Sequence, residues 1–134
     1  MRSPHARNLA TILAADNSHE QSARLFRAGI ALRHELGDEA GLAECFEGLA
    51  ASLRAMSRHD ASVTLLGASD ALRTSTASLP SAGDKRLVQR LDASERAELG
   101  QQRFEENWQR GQRMSLDEIV DFATGSDATR VGAV

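Results

Sequence analysis

The residues with the greatest chemical potential in this chain are one cysteine and four histidines. Cys45 could act as a nucleophile, since a thiolate attacks electrophilic carbon or sulfur. It stands mid-helix among small residues with no histidine at helical spacing to serve as its base, so we expect it to be packed in the interior. The histidines show no metal-ligand spacing, and we expect turn or surface positions for them. They are His5, His19, His34 and His59.

Two pairs of adjacent acidic residues could perform acid–base chemistry. Glu105 and Glu106 fit a solvated helix face, whereas Asp117 and Glu118 fit a helix start, where negative charge interacts favourably with the macrodipole. Neither pair has a catalytic partner that the sequence can identify. We therefore expect no catalytic residue, no metal site and no cofactor, and we predict that the protein is not an enzyme.

The composition and charge of the chain exclude some classes of binding partner. The 134 residues carry a formal net charge of −3, and the sixteen basic residues are spread among nineteen acidic ones instead of forming a basic run. This distribution argues against direct nucleic-acid binding. With one cysteine, no signal-peptide pattern and no stretch long enough to span a membrane, we expect a cytoplasmic protein that does not bind membranes.

The most regular stretch runs from Glu39 to Met56. Its apolar residues recur at alternating steps of four and three, the spacing that places side chains on one face of an α-helix. They are Leu42, Phe46, Leu49, Leu53 and Met56. Small residues such as Ala43, Gly48 and Ala50 occupy other faces, so this helix is predicted to lie between neighbouring helices.

The chain also contains an internal repeat. A shift of 40 residues gives eleven identities in the 25 positions from Leu9 to Arg33, which indicates two copies of a helix-turn-helix unit. Ser18 with Gln21 forms a capping-box pattern that predicts a helix start in the first copy. Predicted helices cover residues 18–36, 39–56, 60–77, 84–99, 101–112 and 116–123. Asp84 and Ser115 are the expected caps of the fourth and sixth.

The second copy resembles a tetratricopeptide unit. Phe46 stands at its bulky first position, Leu49 and Ala50 at its Leu-Gly pair, and Leu53 at its aromatic position. The resemblance implies an all-α protein of tetratricopeptide-like helical hairpins, stacked as a short α-solenoid with a C-terminal helical cap. The expected division is two hairpins in residues 1–80, capping helices in 81–124 and a flexible tail in 125–134.

A second resemblance covers nearly the whole chain. The segments LRHELGDEAGLAECFEGLAA, LLGASDALR and LGQQRFEENWQRGQRMSLDEIVDFA are similar to the carboxy-terminal repeat region of bacterial LuxR-type and cyclase-linked ATP-dependent transcriptional regulators. The resemblance implies a closing cap formed by Phe104, Trp108, Leu116, Ile119 and Val120. The chain has no GxxxxGK[ST] phosphate loop and no basic DNA-reading helix, so the ATPase and DNA-binding parts of such regulators are absent from it.

We therefore predict a helical repeat module for protein–protein interaction, linked to transcriptional regulation or signalling, with a protein or peptide as its partner. By resemblance to tetratricopeptide units, the residues that face the binding groove would be Arg7, Thr11, Glu44, Glu47 and Arg54. Glu47→Arg and Arg54→Glu are expected to weaken partner capture without lowering the melting temperature.

Three alternatives remain open at the level of sequence. The module could sense a small molecule held between repeats. It could form a homodimer through its N-terminal helix, with Leu9, Ile12 and Leu13 covered by the second copy. It could also be a truncated remnant of a larger regulator with no activity of its own.

Overall fold

The computed structural model describes the backbone of residues 4–125 and the side chains of residues 17–125. Within these residues the chain is all-helical, as predicted, and no strand occurs in the described part. The helices are α1 (Pro4–Leu36), α2 (Glu39–Ala55), α3 (His59–Thr76), α4 (Ala82–Leu99), α5 (Gln101–Arg113) and α6 (Leu116–Thr124). The predicted tail after Gly125 lies outside the described residues.

The predicted helix start at Ser18 is wrong, because α1 is one continuous helix of 33 residues. The equivalent turn in the second copy is made by Ser57, which takes a left-handed backbone with φ 63°. Its counterpart, Asn17, stays helical. No glycine or proline occurs from His5 to Ala28, so nothing in the covalent chain obliges the helix to stop. The two 40-residue copies thus contain one long helix and one helical hairpin.

The helix corner that ends each copy is nevertheless conserved between the two. The backbone N–H of Asp38 donates to the Arg33 carbonyl at 2.9 Å, and that of Ser78 donates to the Arg73 carbonyl at 3.0 Å. The two guanidinium groups also donate to the same two residues, at 2.6 Å to Asp38 and 3.4 Å to Ser78. The corners at Arg33 and Arg73 therefore share one hydrogen-bond pattern.

Helix α2 is the central helix of the fold. Four members of its predicted apolar stripe are completely buried, and the fifth, Met56, is half-buried at the C-cap. Asp38 caps the helix by accepting from the Gly41 N–H at 3.0 Å. One side of α2 packs on α1, where Gly48 leaves room for the Phe26 ring, and another side packs on α3. Leu49 and Leu66 both lie in the resulting core.

Helices α3 and α5 approach at backbone distance. A Cβ atom at Gly111 would overlap the carbonyl oxygen of Thr64 and lie 2.8 Å from the amide nitrogen of Ala68. A Cβ atom at Gly67 would overlap the carbonyl oxygen of Trp108. Only glycine fits at these two positions, so the two helices pack without side chains between them at the point of contact.

Helix α4 is held in a different way, since only Leu91 and Glu95 among its 18 residues are buried. Its cap is Ser81, whose hydroxyl oxygen accepts from the Asp84 N–H at 3.1 Å. The expectation that Asp84 caps this helix is wrong, because α4 begins two residues earlier than predicted and places Asp84 inside its first turn.

Helix α6 begins with the capping box predicted for Ser115 and Glu118. It packs on α1, where Arg27 Nε donates to the Ala123 carbonyl at 3.2 Å, and it buries Ile119 and Val120. No helix in the described part of the chain is long and apolar enough to cross a membrane.

Candidate functional site

The most site-like concavity lies between the C-terminal half of α3, the N-terminal half of α4 and Trp108 of α5. We call it the α4 cleft. Its volume is about 550 Å³, within the usual range for ligand pockets. Its lining is Glu47, Leu66, Ser69, Asp70, Arg73, Thr74, Ala77, Ser78, Leu79, Pro80, Lys85, Val88, Gln89 and Trp108.

The floor of the α4 cleft is a buried ion pair. Arg73 donates to the two carboxylate oxygens of Glu47 from Nε at 2.8 Å and from Nη2 at 2.9 Å, and the Ser69 hydroxyl donates to the same carboxylate. Glu47 is 2% exposed. The hydrogen bonds from Arg73 to Glu47 hold the pKa of Arg73 above its usual value, so the guanidinium keeps its charge.

The walls of the cleft are mainly apolar. Leu66 lies at the back, Trp108 forms one side and Val88 forms the other. Leu79 stands on the rim and is 91% exposed. An apolar group that entered here would be covered by these side chains while its polar end met the charged residues of the rim.

The loop that carries Leu79 is fixed at its start. Ala77 ends α3 in the left-handed conformation, with φ 53°, and the following N–H of Ser78 closes the turn onto Arg73. Since Arg73 also binds Glu47, one guanidinium connects the loop, α3 and α2. Arg73 in the floor of the cleft therefore fixes the position of Ser78 at its rim.

A second polar cluster lies at the C-terminal half of α4, where that helix meets the N-terminus of α3. Glu95 is fully buried, and its Oε1 accepts from His59 Nδ1 at 2.7 Å and lies 3.7 Å from Arg54 Nε. Its other oxygen, Oε2, has no hydrogen-bond partner among the described residues. His59 Nε2 is 3.6 Å from Glu98. His59 is the first residue of α3, next to the predicted turn, and its side chain is 20% exposed while it contacts Glu95 and Glu98 of α4.

Three of the five predicted partner-binding residues, all on α2, have described side chains. The side chains of Arg7 and Thr11 lie outside the described residues. Glu44 is exposed on α2, Glu47 is buried in the floor of the cleft, and Arg54 faces Glu95. Their role in binding stays a prediction. For Glu47 the expected test changes, since Glu47→Arg would place two guanidinium groups together in the interior and lower the melting temperature.

The other residues that could perform chemistry are buried or take part in helix capping and ion pairs. Cys45 is buried, as predicted, and burial raises the pKa of its thiol. Among residues 17–125 no group of three or more histidine, cysteine, aspartate or glutamate side chains could hold a metal ion. Hydrogen bonding from the Ser115 backbone lowers the pKa of Glu118, which fits the predicted role at a helix start. Glu105 lies 3.8 Å from Arg96.

The predicted aromatic pair is present, and one of its two rings also lines the α4 cleft. The rings of Phe104 and Trp108 are 6.0 Å apart and 18° from parallel, and Arg96 lies 4.0 Å from the centre of the Phe104 ring. Phe104 is buried, whereas Trp108 is half-buried and lines the α4 cleft.

Sequence reasoning missed Arg73, Ser69 and Glu95. The partner of Arg73 lies 26 residues away, and that of Glu95 lies 36 residues away, so no local spacing marks them. One signal was available for Arg73: the 40-residue repeat aligns it with Arg33 and thereby predicts the same helix corner.

A comparison with protein families, curated proteins and solved structures finds no match to this chain.

Proposed function

We propose that the chain is a non-enzymatic helical module for protein–protein interaction that binds a peptide segment of its partner in the α4 cleft. The observation that supports this function is an apolar cleft of about 550 Å³ with an exposed leucine on its rim and an internally neutralised ion pair in its floor. A cleft of this kind suits one large apolar side chain of a peptide, anchored by polar contacts around it.

The floor supports binding more than catalysis. The Glu47 carboxylate already accepts hydrogen bonds from Arg73 and Ser69. The cleft lining contains no histidine and no cysteine, and its Ser69 hydroxyl is already engaged in the hydrogen bond to Glu47. The polar groups at the floor therefore set the shape of the site, and the contacts to a ligand come from its walls and rim.

The proposed architecture is a tetratricopeptide-like stack. The α2–α3 hairpin would be its one complete unit, α1 the preceding layer, and α5 with α6 the C-terminal cap. This arrangement, the resemblance to the repeat region of LuxR-type regulators and the absence of a membrane-spanning helix in the described residues support a cytoplasmic role in transcriptional regulation or signalling.

A small-molecule sensor is the second candidate, because the cleft volume also falls within the range of drug-sized ligand sites. In this function the loop from Ala77 to Ser81 would cover an apolar metabolite against Trp108. The two functions use the same cleft and differ in the size of the ligand.

A peptide selection tests the first function. Peptides selected from a randomised display library on the wild-type protein are measured by fluorescence anisotropy on Leu79→Asp and on Leu36→Asp. Both leucines are largely exposed, at 91% and 71%, so neither change should unfold the chain. Leu79→Asp should weaken binding at least tenfold, which corresponds to about 1.4 kcal/mol, whereas Leu36→Asp, at the end of α1 and outside the cleft lining, should not.

Equal affinities for the two variants would place peptide binding outside the cleft and overturn the proposal. The small-molecule function is tested by thermal shift with a metabolite library. It predicts a saturable rise in melting temperature that is reduced in Leu79→Asp and retained in Leu36→Asp.

A further inference from the structure

The outer face of α1 carries an unpartnered row of leucines. Leu25 is 74% exposed, Leu32 is 55% exposed and Leu36 is 71% exposed, and the exposed Ala28 lies between the first two. Steps of three, four and four residues place these side chains on one side of a helix. We call this row the outer leucine face.

This face points away from the core. Ala23 and Ile30 are fully buried against the rest of the molecule, and the helical rotation of about 100° per residue places Leu25 and Leu32 on the opposite side of α1. The outer leucine face contains three of the four large hydrophobic side chains that are exposed in residues 17–125. Apolar side chains concentrated in a row on a surface mark an interface.

The charges at the two ends of the row are complementary to each other. Arg24 lies beside Leu25, and Glu39 lies just beyond Leu36 at the start of α2. Both side chains are exposed, and neither forms an ion pair within the described part of the chain. A surface that is basic at one end and acidic at the other, with an apolar row between, is complementary to an inverted copy of itself.

We propose that this protein forms an antiparallel homodimer through the outer leucine face of α1. A two-fold axis near the middle of the row places Leu25 of one copy against Leu36 of the second. It also brings Leu32 of one copy against Ala28 of the second, and each Arg24 close to the other copy's Glu39. A parallel pairing would place Arg24 against Arg24 and Glu39 against Glu39, which repel.

The dimer is independent of the proposed function. The α4 cleft lies on the other side of α2 from α1 and would stay open in both copies, giving a bivalent module. The residues differ from those expected from the sequence, since the side chains of Leu9, Ile12 and Leu13 lie outside the described residues.

The oligomeric state of the full chain tests the proposal. Analytical ultracentrifugation over about 5 to 200 µM, the range in which a small interface associates, should show a monomer–dimer equilibrium. Leu32→Glu should raise the dissociation constant at least thirtyfold. Leu79→Glu, the same change at an exposed leucine outside the face, should leave it unchanged, and circular dichroism should show both variants folded. A wild-type protein that stays monomeric over this range, or equal constants for the two variants, would overturn the dimer.

Charge reversal and crosslinking test the antiparallel register. Arg24→Glu should weaken the dimer, and Arg24→Glu combined with Glu39→Arg should restore it. In a Cys45→Ala background, which removes the only cysteine, Leu25→Cys combined with Leu36→Cys should form an interchain disulfide on oxidation. Neither Leu25→Cys alone nor Leu36→Cys alone should form this disulfide. Crosslinking of Leu25→Cys alone would show a parallel pairing and contradict the proposed register.

Discussion

The two glutamates buried among the described residues, Glu47 and Glu95, lie near opposite ends of α4 and have different hydrogen-bond partners. Glu47, below the α4 cleft, receives two hydrogen bonds from Arg73 and one from Ser69. Glu95, at the N-terminus of α3, receives one from His59, and its second oxygen has no hydrogen-bond partner in the described residues. Equal burial thus accompanies a complete hydrogen-bond network in one region and an incomplete one in the other.

The difference teaches how each region is stabilised. A buried carboxylate is tolerated when every lone pair is used, and it then fixes the helices that contribute the donors. The Glu47 network connects α2 and α3 in the tightly packed part of the molecule. The Glu95 network attaches α4, whose only other buried residue is Leu91. We therefore expect the two regions to respond differently to the same kind of substitution.

The largest effect is expected for Arg73→Leu. This change leaves the Glu47 carboxylate buried without its cation, and the free energy of unfolding should fall by about 3 kcal/mol or more. Urea denaturation followed by circular dichroism gives the value. Arg54→Leu is the matched control, because Arg54 is 39% exposed and 3.7 Å from its carboxylate, and it should cost less than about 1 kcal/mol. If the free energy of unfolding fell by similar amounts in the two variants, the Glu47 and Glu95 networks would contribute equally to stability and the proposed difference between them would be wrong.

The next effect is expected at the contact between α3 and α5. In Gly111→Ala the new methyl group meets the backbone of α3, and moving the helices apart should cost roughly 2 kcal/mol. Gly83→Ala makes the same change in α4, where the nearest atom to a Cβ is 3.9 Å away, and it should be neutral or slightly stabilising. Thermal denaturation compares them. A Gly111→Ala protein as stable as the wild type would contradict the close backbone approach.

A smaller effect is expected for Glu95→Leu. This substitution removes a carboxylate that is only half satisfied, and His59 and Arg54 both retain access to water, so stability should stay within about 1 kcal/mol of the wild type. Glu47→Leu, the same substitution in the complete network, should cost at least twice as much, because it leaves the buried Arg73 with only the more distant Asp84, 3.8 Å away, as a carboxylate partner. If Glu95→Leu proved the more damaging of the two, the α4 network would be the better satisfied one.

The smallest effect concerns pH. Hydrogen bonds from Arg103 at 2.8 Å and Asn107 at 2.7 Å hold the pKa of Asp60 below its ordinary value of 3.8. A carboxyl with a lowered pKa in the folded state stabilises the fold above pH 3.8, and this contribution is lost as the pH falls through the folded-state pKa. The melting temperature of Asp60→Asn should therefore fall less steeply than that of the wild type below about pH 4.

Asp121→Asn, at an exposed position of α6, controls for the loss of one negative charge. Its melting temperature should follow the wild-type pH profile. A profile for Asp60→Asn that also coincides with the wild type would show that the contact between Asp60 and Arg103 adds nothing to stability, as many exposed pairs do.

The helices could be predicted from the sequence because their signals are local. The apolar stripe of α2, the stop at Gly100 and the capping box at Ser115 each lie within a few residues, and the structure places those boundaries within one or two residues of the prediction. The failure at Ser18 has a physical cause. A capping box favours a helix start only where the preceding residues leave the helix, and Asn17 does not.

The candidate site could not be predicted, because its parts are distant in sequence. The hydrophobic period and the repeat placed Glu47 and Arg54 on the same helix. They did not show that Glu47 pairs with a residue of α3 whereas Arg54 lies beside a residue of α4. Ion pairs of this kind depend on the angle at which helices cross, and no spacing rule within one helix contains that angle.

The glycine contact between α3 and α5 has a mechanical consequence for the α4 cleft. Arg73 on the floor belongs to α3 and Trp108 on the wall belongs to α5. Because the backbones of these two helices are in contact, they should move as one rigid body. The opposing side of the cleft is α4, which is attached through the buried Leu91, the half-buried Leu87 and Val88 and a few charged side chains. Any widening of the cleft to admit a larger ligand should therefore be a swing of α4 alone, about the corner at Gly100.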